Sequence, residues 1–155
     1  MMLSDLLNAQ SVSPRLKAAT KRDAVAELVD LLESAHGLRS QGEILDRVMR
    51  REAMMSTGIG NGVAIPHGKA RAVDRMMAAC AVSREGIDFD SVDGERAHIF
   101  ILLVSPEAVG TPHVKVLANI SRLLKEESVR KNLREADSPA QFLAALKSAE
   151  GQYLS

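Results

Sequence analysis

The stretch "AHIFILLVS", residues 97–105, decides the predicted fold, because it is apolar almost without interruption over the length of a β-strand. A continuous apolar run of this length indicates a strand that is covered on both faces, whereas a half-exposed strand alternates apolar and polar residues. The stretch "RMMAACAVS", residues 75–83, has the same character. Turn residues separate the two runs, with Asp93-Gly94 as a tight-turn signal. We therefore predict two buried strands.

Helical periodicity begins well before these strands. The segment "TKRDAVAELVDLLESAHGL" has an apolar stripe at helical spacing, with Thr20 placed to cap the helix and Gly37 placed to end it. In "SQGEILDRVMRREAMM", Ser40 and Glu43 form a predicted capping box, and this second helix should end near Met54. Ahead of both, "SVSPRLKA" is predicted to be a short edge strand, because its proline cannot donate to a central ladder.

Further helices are predicted from Thr111 onward. "PHVKVLANISRLL" places its apolar residues on one face, and "ESVRKNLREA" and "SPAQFLAALKSA" follow, the last opened by Ser138 as N-cap and Pro139 as first helical residue. Helices alternating with buried strands predict an α/β fold, a single three-layer domain over residues 1–155 with helices on both faces of the sheet. Methionines are expected to fill its core, namely Met54, Met55, Met76 and Met77.

Composition narrows the class of partner. The chain has 20 basic and 20 acidic residues, so no overall field favours nucleic acid or an anionic membrane, and its 3% aromatic content offers few platforms for stacking bases. The lone cysteine, Cys80, lies in an apolar run and suits a reducing cytoplasm as a small buried hydrophobic residue. With neither a signal peptide nor a membrane span recognisable in the sequence, we expect a cytoplasmic protein.

The loop "STGIGNGVAIPHGKA", residues 56–70, resembles a nucleotide cradle at first sight. A P-loop requires G-x-x-x-x-G-K-[ST], and here Lys69 follows Gly68 but is itself followed by Ala70, so the hydroxyl that would hold magnesium is missing. The dinucleotide fingerprint also fails, because "GVAIPHG" after the glycines is predicted to be a strand and not a helix. The glycines are better interpreted as permissive backbone that lets another surface approach His67.

Three residues instead suggest phosphoryl chemistry. We expect Pro66 and the small Gly68 to let the imidazole of His67 be exposed at a strand end; Arg51 lies in the last turn of the preceding helix, and His113 begins a later one. A guanidinium binds a phosphoryl group bidentately, and a neutral imidazole nitrogen can attack phosphorus. Each residue taken alone has an ordinary alternative: a surface histidine at 67, a partner for the helix dipole at 51 and a solvated histidine at 113.

The blocks "REAMMSTGIGNGVAIPHGKA", "GIDFDSVDGERAHIFILLVSPE" and "HVKVLANISRLL" resemble the enzyme IIA domain of the fructose/mannitol/nitrogen-regulatory branch of the bacterial phosphotransferase system. The resemblance covers a core of about residues 6–146 and implies a mixed sheet with helices on both sides. It implies that His67 accepts a phosphoryl group on its tele nitrogen, Nε2, from HPr or its nitrogen-branch paralogue. It further implies that His113 hydrogen-bonds the phosphate and that Arg51 balances its charge. The loop expected to contact the phosphoryl group and the partner protein comprises Ser56, Thr57, Gly58, Gly60, Gly62, Pro66 and Gly68.

The resemblance leaves two downstream roles open. A free-standing IIA domain is typical of the nitrogen-regulatory type, which would control a potassium transporter or a sensor kinase through its phosphorylation state. The alternative is sugar uptake, in which a fructose- or mannitol-type IIA passes phosphate to a IIB domain. We expect no cofactor and no metal; a metal hydrolase that uses His67, His113 and Asp88 or Asp90 is a rival that lacks HxH or HExxH spacing.

Overall fold

The computed structural model describes residues 1–108 and 111–154, without the side chains of residues 111–113. Its strands are β1 (Val12–Ser13), β2 (Gly58–Gly60), β3 (Val63–Ala64), β4 (His67–Lys69), β5 (Met77–Ile87) and β6 (Ala97–Ser105). Its α-helices are α1 (Lys21–His36), α2 (Glu43–Met54), α3 (Thr111–Leu124), α4 (Glu127–Arg134) and α5 (Pro139–Tyr153), and short 3-10 helices span Leu3–Leu6 and Ala9–Ser11.

The sheet is mixed, with the order β1-β5-β6-β3-β2. The antiparallel pair β5 and β6 forms its centre, with Cys80 opposite Ile101. Strand β1 runs parallel to β5 at the edge, as the proline in its segment predicted. Strands β3 and β4 both run parallel to β6, β3 starting opposite Ile99 and β4 opposite Leu103, so they lie end to end along one side of it.

An apolar cluster covers each face of this sheet, which explains why β6 is apolar at every position from Ile99 to Val104. Ile99, Ile101 and Leu103 of β6 join a cluster with residues of α3, α4 and α5, whereas the alternate residues Phe100 and Leu102 join one with residues of α1 and α2. Successive side chains of a strand point to opposite faces, so a strand between two helical layers needs apolar residues at every position. The predicted α/β architecture with helices on both faces is confirmed.

Several element ends follow the predicted signals. Thr20 Oγ1 accepts a hydrogen bond from the backbone N–H of Asp23, and Gly37 ends α1 in the left-handed region at φ 64°. Ser138 caps α5 by accepting a hydrogen bond from Gln141 N–H, with Pro139 as its first residue. Helix α2 ends at Met54, as predicted.

The predicted capping box of α2 is wrong. Gly42 is the N-cap residue; the hydroxyl of Ser40 donates to Glu33 Oε2 and accepts a hydrogen bond from Ile44 N–H at 3.4 Å instead of from Glu43. The Glu43 carboxylate accepts hydrogen bonds from the backbone N–H groups of Arg71 and Ala72, at 3.0 and 2.9 Å. Both side chains therefore tie α2 to other segments of the chain, and local spacing alone could not distinguish such partners from a cap.

Other predictions needed correction around the glycine-rich loop. The predicted strand "GVAIPHG" is broken into β3 and β4 at Ile65-Pro66, because Pro66 has no N–H for the ladder, and Gly58–Gly60 of the predicted loop forms β2. Met76 and Met77 are buried as expected, but Met54 and Met55 are 82% and 70% exposed. The buried residues of α2 are Ile44, Val48 and Glu52, and position 54 lies on a different side of the helix.

None of the described helices is long and apolar enough to cross a bilayer.

Candidate functional site

A cavity of about 440 Å³ lies between strand β4, helix α2 and helix α3. Strand β4 supplies His67 to it through pairing with Leu103, and α2 supplies Arg51 from its last turn. Among the described residues, the lining consists of Arg47, Arg51, His67, Gly68, Lys69, Val114 and Leu117. The structure therefore brings Arg51 of α2 together with His67 and Gly68, which are neighbours in β4.

The ring of His67 is oriented by its own strand. Its Nδ1 lies 2.8 Å from the carbonyl oxygen of Ile65. A carbonyl oxygen can only accept a hydrogen bond, so we assign the proton of the neutral ring to Nδ1. This Nδ1–H then donates a hydrogen bond to the carbonyl oxygen of Ile65. The lone pair of the ring is then on Nε2. The backbone thus selects the tautomer in which Nε2 is the nucleophile.

The surroundings keep the imidazole of His67 neutral. Burial lowers the pKa of His67 below its ordinary value, and the positive charge of Arg51 acts in the same direction. The hydrogen bond to Ile65 and the negative charge of Glu52 oppose this shift without reversing it. A histidine with a lowered pKa remains in its nucleophilic neutral form near pH 7.

Positive charge dominates the cavity around that ring. Arg51 Nη1 donates to the carbonyl oxygen of Met55 at 2.8 Å, so this arginine both satisfies the end of its helix and lines the cavity. Arg47, one turn earlier, pairs with Glu107 at 2.7 Å. Lys69 adds a third cation to the wall. A concave site of this kind favours an anion with several oxygen acceptors, such as a phosphoryl group.

Gly68 brings helix α2 close to the strand that carries His67. A Cβ at position 68 would lie 3.2 Å from Val48 Cγ2 and 3.3 Å from Val48 N. Such contacts are shorter than ordinary van der Waals packing, so any larger residue would push α2 away from β4. The lack of a side chain at this position therefore sets the separation between Arg51 and His67.

Ser56 and Thr57 anchor the segment that follows α2. Thr57 N–H donates to the buried carboxylate of Glu52 at 2.9 Å, and the Thr57 hydroxyl donates to the same carboxylate. Lys21 completes this buried group with an ion pair to Glu52 at 2.9 Å. The Ser56 hydroxyl donates to the carbonyl oxygen of Phe89 at 2.7 Å. These side chains are engaged with the protein and fix the path of the loop.

The remaining predicted loop residues, apart from Gly68, lie outside the lining of this cavity. Gly58 packs against Ser91, and Gly60 and Gly62 face Asp93 and His98. The carbonyl oxygen of Pro66 accepts a hydrogen bond from Leu103 N–H at 3.1 Å, which seats the start of β4 on β6. The glycines thus shape the hairpin of β2 and β3, while Gly68 alone among them lines the described cavity.

The side chain of His113 lies outside the described residues, although its position in the first turn of α3 is given. Val114 and Leu117, from the same end of that helix, line the cavity.

The two carboxylates of the metal-hydrolase alternative, Asp88 and Asp90, have other partners. Asp90 forms an ion pair with Lys21 at 3.2 Å, and Asp88 accepts a hydrogen bond from Asp90 N–H. Within the described part of the chain, no three His, Cys, Asp or Glu residues are grouped so that they could hold a metal ion.

A family model described as phosphoenolpyruvate-dependent sugar phosphotransferase system, EIIA 2, matches residues 5–149. The chain belongs to this family. A relative is the phosphotransferase system fructose-specific EIIA component of Haloferax volcanii, 37% identical over 136 residues that cover 88% of each chain. Another is a nitrogen regulatory protein of Bradyrhizobium diazoefficiens, 34% identical over 134 residues that cover 86% of this chain and 87% of that protein.

The EIIA 2 family also includes larger proteins. The fructose-specific EIIABC component of Bacillus subtilis is 33% identical over 138 residues, which are 89% of this chain but only 22% of that protein. Among solved structures, nitrogen regulatory protein IIA-Ntr of Neisseria meningitidis matches with a TM-score of 0.84 at 27% identity, covering 92% of this chain and 97% of that one. Family membership and fold are thus shown, and the relatives include both regulatory and sugar-specific members.

Sequence reasoning missed Arg47 and Lys69 as lining residues of this EIIA 2 cavity. Each had a usable signal. Arg47 precedes Arg51 by four residues, so both lie on one side of α2. Lys69 follows His67 by two residues in a strand, so both point to the same face.

Proposed function

We propose that this protein is a phosphohistidine carrier in which Nε2 of His67 accepts a phosphoryl group from a phosphorylated histidine of HPr or a related carrier. The observation that carries the proposal is the Nδ1–H of His67 donating to Ile65 at 2.8 Å inside a cavity lined by three cationic side chains. Membership of the phosphotransferase EIIA 2 family supports it.

The transfer needs no change in oxidation state and no added base. The Nε2 lone pair of His67 forms a bond to phosphorus in line with the donor's P–N bond, which breaks and returns its electron pair to the donor imidazole. The proton on Nδ1 remains hydrogen-bonded to Ile65. Arg51 balances charge on the phosphoryl oxygens, and we assign the same task to His113. Because a P–N bond breaks as another forms, the exchange should be reversible and require no metal ion.

We further propose that this protein is cytoplasmic and that the phosphorylation state of His67 regulates a target protein, a potassium transporter or a sensor kinase. Phosphorylation adds about two negative charges at the cavity mouth, enough to alter which surface can bind there. The similarity to nitrogen regulatory proteins over most of their length supports this role. The similarity to a fructose-specific EIIA component favours a second candidate, in which His67 passes its phosphoryl group to a IIB domain.

The acceptor role is tested by phosphoryl transfer from labelled phospho-HPr. The H67Q variant should take up no label, whereas H36Q, which removes a histidine at the end of α1, should be labelled like the wild type. The labelled protein should lose its label at acid pH, as phosphohistidine does. Labelling of H67Q to the wild-type level would disprove the role of His67.

The two downstream roles are separated by following the label after phosphorylation. The regulatory role predicts that a fructose-type IIB domain removes little label from His67, and that a target protein binds one phosphorylation form in preference to the other. Rapid and complete transfer to the IIB domain would instead favour sugar uptake.

A further inference from the structure

A second cavity, of about 320 Å³, lies between the segment after β1 and the far end of β5. Its basic lining residues are Arg15 and Lys17 from that segment, Arg84 from β5, and Arg96 just before β6. Four basic residues from three separate parts of the chain therefore line one concavity. The whole chain, by contrast, has no net charge.

This second cavity, which we call the distal cavity, is remote from His67. Residues 83–86, near the C-terminal end of β5, form one of its walls. This end of β5 pairs with the start of β6, where Ile87 lies opposite Ala97. His67 lies opposite Leu103 near the other end of β6. At about 3.3 Å per strand residue, the six residues from 97 to 103 separate the two sites by roughly 20 Å. Beyond a Debye length of about 8 Å in physiological salt, the charges of one site have little influence on the other.

Most of the positive charge in the distal cavity is not neutralised by ion pairs. Arg84 is paired with Asp137 at 3.1 Å, whereas Arg15, Lys17 and Arg96 form no ion pair within the described residues. Glu85 is the acidic member of the lining. The nearby carboxylate of Glu27 is already bound to the backbone N–H groups of Lys17 and Ala18, at 3.0 and 2.9 Å.

We propose that this distal cavity binds a small anion with at least two negative charges, carried on phosphate or carboxylate groups. The guanidinium groups of Arg15 and Arg96 each present parallel N–H donors that match two oxygens of such a group, and Lys17 adds a compact charge. Like-charged side chains held together in a concave site raise the local concentration of a multivalent anion.

The shape of the cavity favours a small molecule over a macromolecule. Its volume is at the lower end of the range of small-molecule sites, about 300–1,000 Å³. Among the described residues, no aromatic side chain lines it, so nucleic-acid bases would find no stacking surface there. The site does not depend on the chemistry proposed for His67, and its test can be decided independently.

Pyrophosphate is the probe for the test, titrated into the protein in 0.15 M NaCl while backbone amide signals are followed by NMR. Gly86 lines the distal cavity and Gly68 lines the His67 cavity, so their amide signals report the two sites separately. We expect the Gly86 signal to shift with a saturating curve and a Kd below about 1 mM. Any response of Gly68 should have a different midpoint.

A pair of double variants tests the residues. R15Q/R96Q removes two charges from the distal cavity and should weaken the Gly86 response at least about tenfold. R39Q/R122Q removes two exposed arginines that line neither cavity and should bind like the wild type. Thermal unfolding followed by circular dichroism establishes that both are folded.

Four results would overturn the proposal. The first is the absence of a saturable shift of the Gly86 amide signal in the wild type, and the second is an equal weakening of pyrophosphate binding in both double variants. The third is a Gly86 titration curve with the same midpoint as that of Gly68. The fourth is tighter binding of a tetraglutamate peptide than of pyrophosphate. The last would show that an acidic segment of a protein is the preferred occupant.

Discussion

Arg51 and Glu52 are neighbours in sequence, but they act on His67 with opposite sign. Arg51 lines the cavity with the imidazole and lowers its pKa, whereas the buried carboxylate of Glu52 raises it. Burial of the ring decides the balance, and the pKa of His67 lies below its ordinary value. In the proposed transfer, Arg51 would therefore act in two ways: by disfavouring protonation of the His67 imidazole and by presenting a cation to the phosphoryl oxygens.

Replacing Arg51 with glutamine should raise the pKa of His67, because a positive charge that disfavours the imidazolium is removed. In R51Q, protonation of His67 would then begin at higher pH, and phosphoryl acceptance would decline at a higher pH than in the wild type. An NMR titration of the His67 Cε1–H signal measures the pKa. Labelling rates between pH 5 and pH 8 measure the consequence.

Arg50 provides the matched control for this substitution. It is the adjacent residue, its side chain is 76% exposed, and it pairs with Asp46 outside the cavity. R50Q removes the same charge and should leave the pKa of His67 almost unchanged, since exposed charges are screened by solvent. If R51Q and R50Q had the same effect, the shift would come from general charge and not from the cavity.

At the scale of elements, the site depends on how closely α2 approaches β4. Val48 of the helix meets the backbone of Gly68, and Arg47 and Arg51 extend from the same side of the helix into the cavity. Glu43 strengthens the attachment by accepting hydrogen bonds from the backbone after β4, at Arg71 and Ala72. A helix shift of a fraction of an ångström would therefore move both arginines relative to His67.

The G68A variant should separate α2 from β4 and lower the labelling rate of His67 at least about tenfold, since small displacements of catalytic groups are costly. The free energy of unfolding should fall by about 1–3 kcal/mol, as expected for overpacking. G151A is the control: a Cβ there meets no atom within 4 Å, and the position is helical. It should raise stability by up to about 1 kcal/mol and leave labelling unchanged. Wild-type labelling of G68A would refute the close-approach argument.

The elements that sequence predicted well are those whose signal lies within one continuous stretch of the chain. Thr20 and Gly37 bound α1 through contacts within one turn, and the β6 run is apolar because both its faces are covered. The predictions that failed depended on distant partners. Ser40 and Glu43 have capping-box spacing, but their side chains bind Glu33 and the segment after β4. For the site, the sequence could supply His67 and Arg51, whereas the cavity that unites them requires the tertiary packing.

At the scale of the whole molecule, a single sheet contributes residues to both apolar clusters. Strands β5 and β6 contribute alternate residues to each, so Cys80 faces one cluster while its neighbour Ala81 faces the other. Neither helical layer could remain packed if the central strands separated. The two clusters should therefore unfold in one cooperative transition, as expected for a single domain of this size.

Leu28 and Tyr153 allow this coupling to be measured across the sheet. Leu28 is fully buried in the cluster of α1 and α2, and Tyr153, the single tyrosine of the chain, packs against the opposite cluster. L28A should lower the free energy of unfolding by about 2–5 kcal/mol through cavity formation. In a cooperative molecule, the urea midpoint reported by Tyr153 fluorescence should fall as far as the midpoint reported by far-ultraviolet circular dichroism.

Two further variants complete the measurement. F142A, in the cluster that Tyr153 contacts, should lower the free energy of unfolding by about 3–5 kcal/mol. Because Phe142 and Leu28 lie in different clusters, the effects of F142A and L28A on this free energy should be additive within about 0.5 kcal/mol. V92A changes a residue that is 76% exposed and should alter stability by less than about 0.5 kcal/mol. If L28A moved the circular dichroism midpoint but left the Tyr153 midpoint in place, the two layers would unfold independently. In that case, the β5–β6 pair would not transmit stability from one side of the sheet to the other.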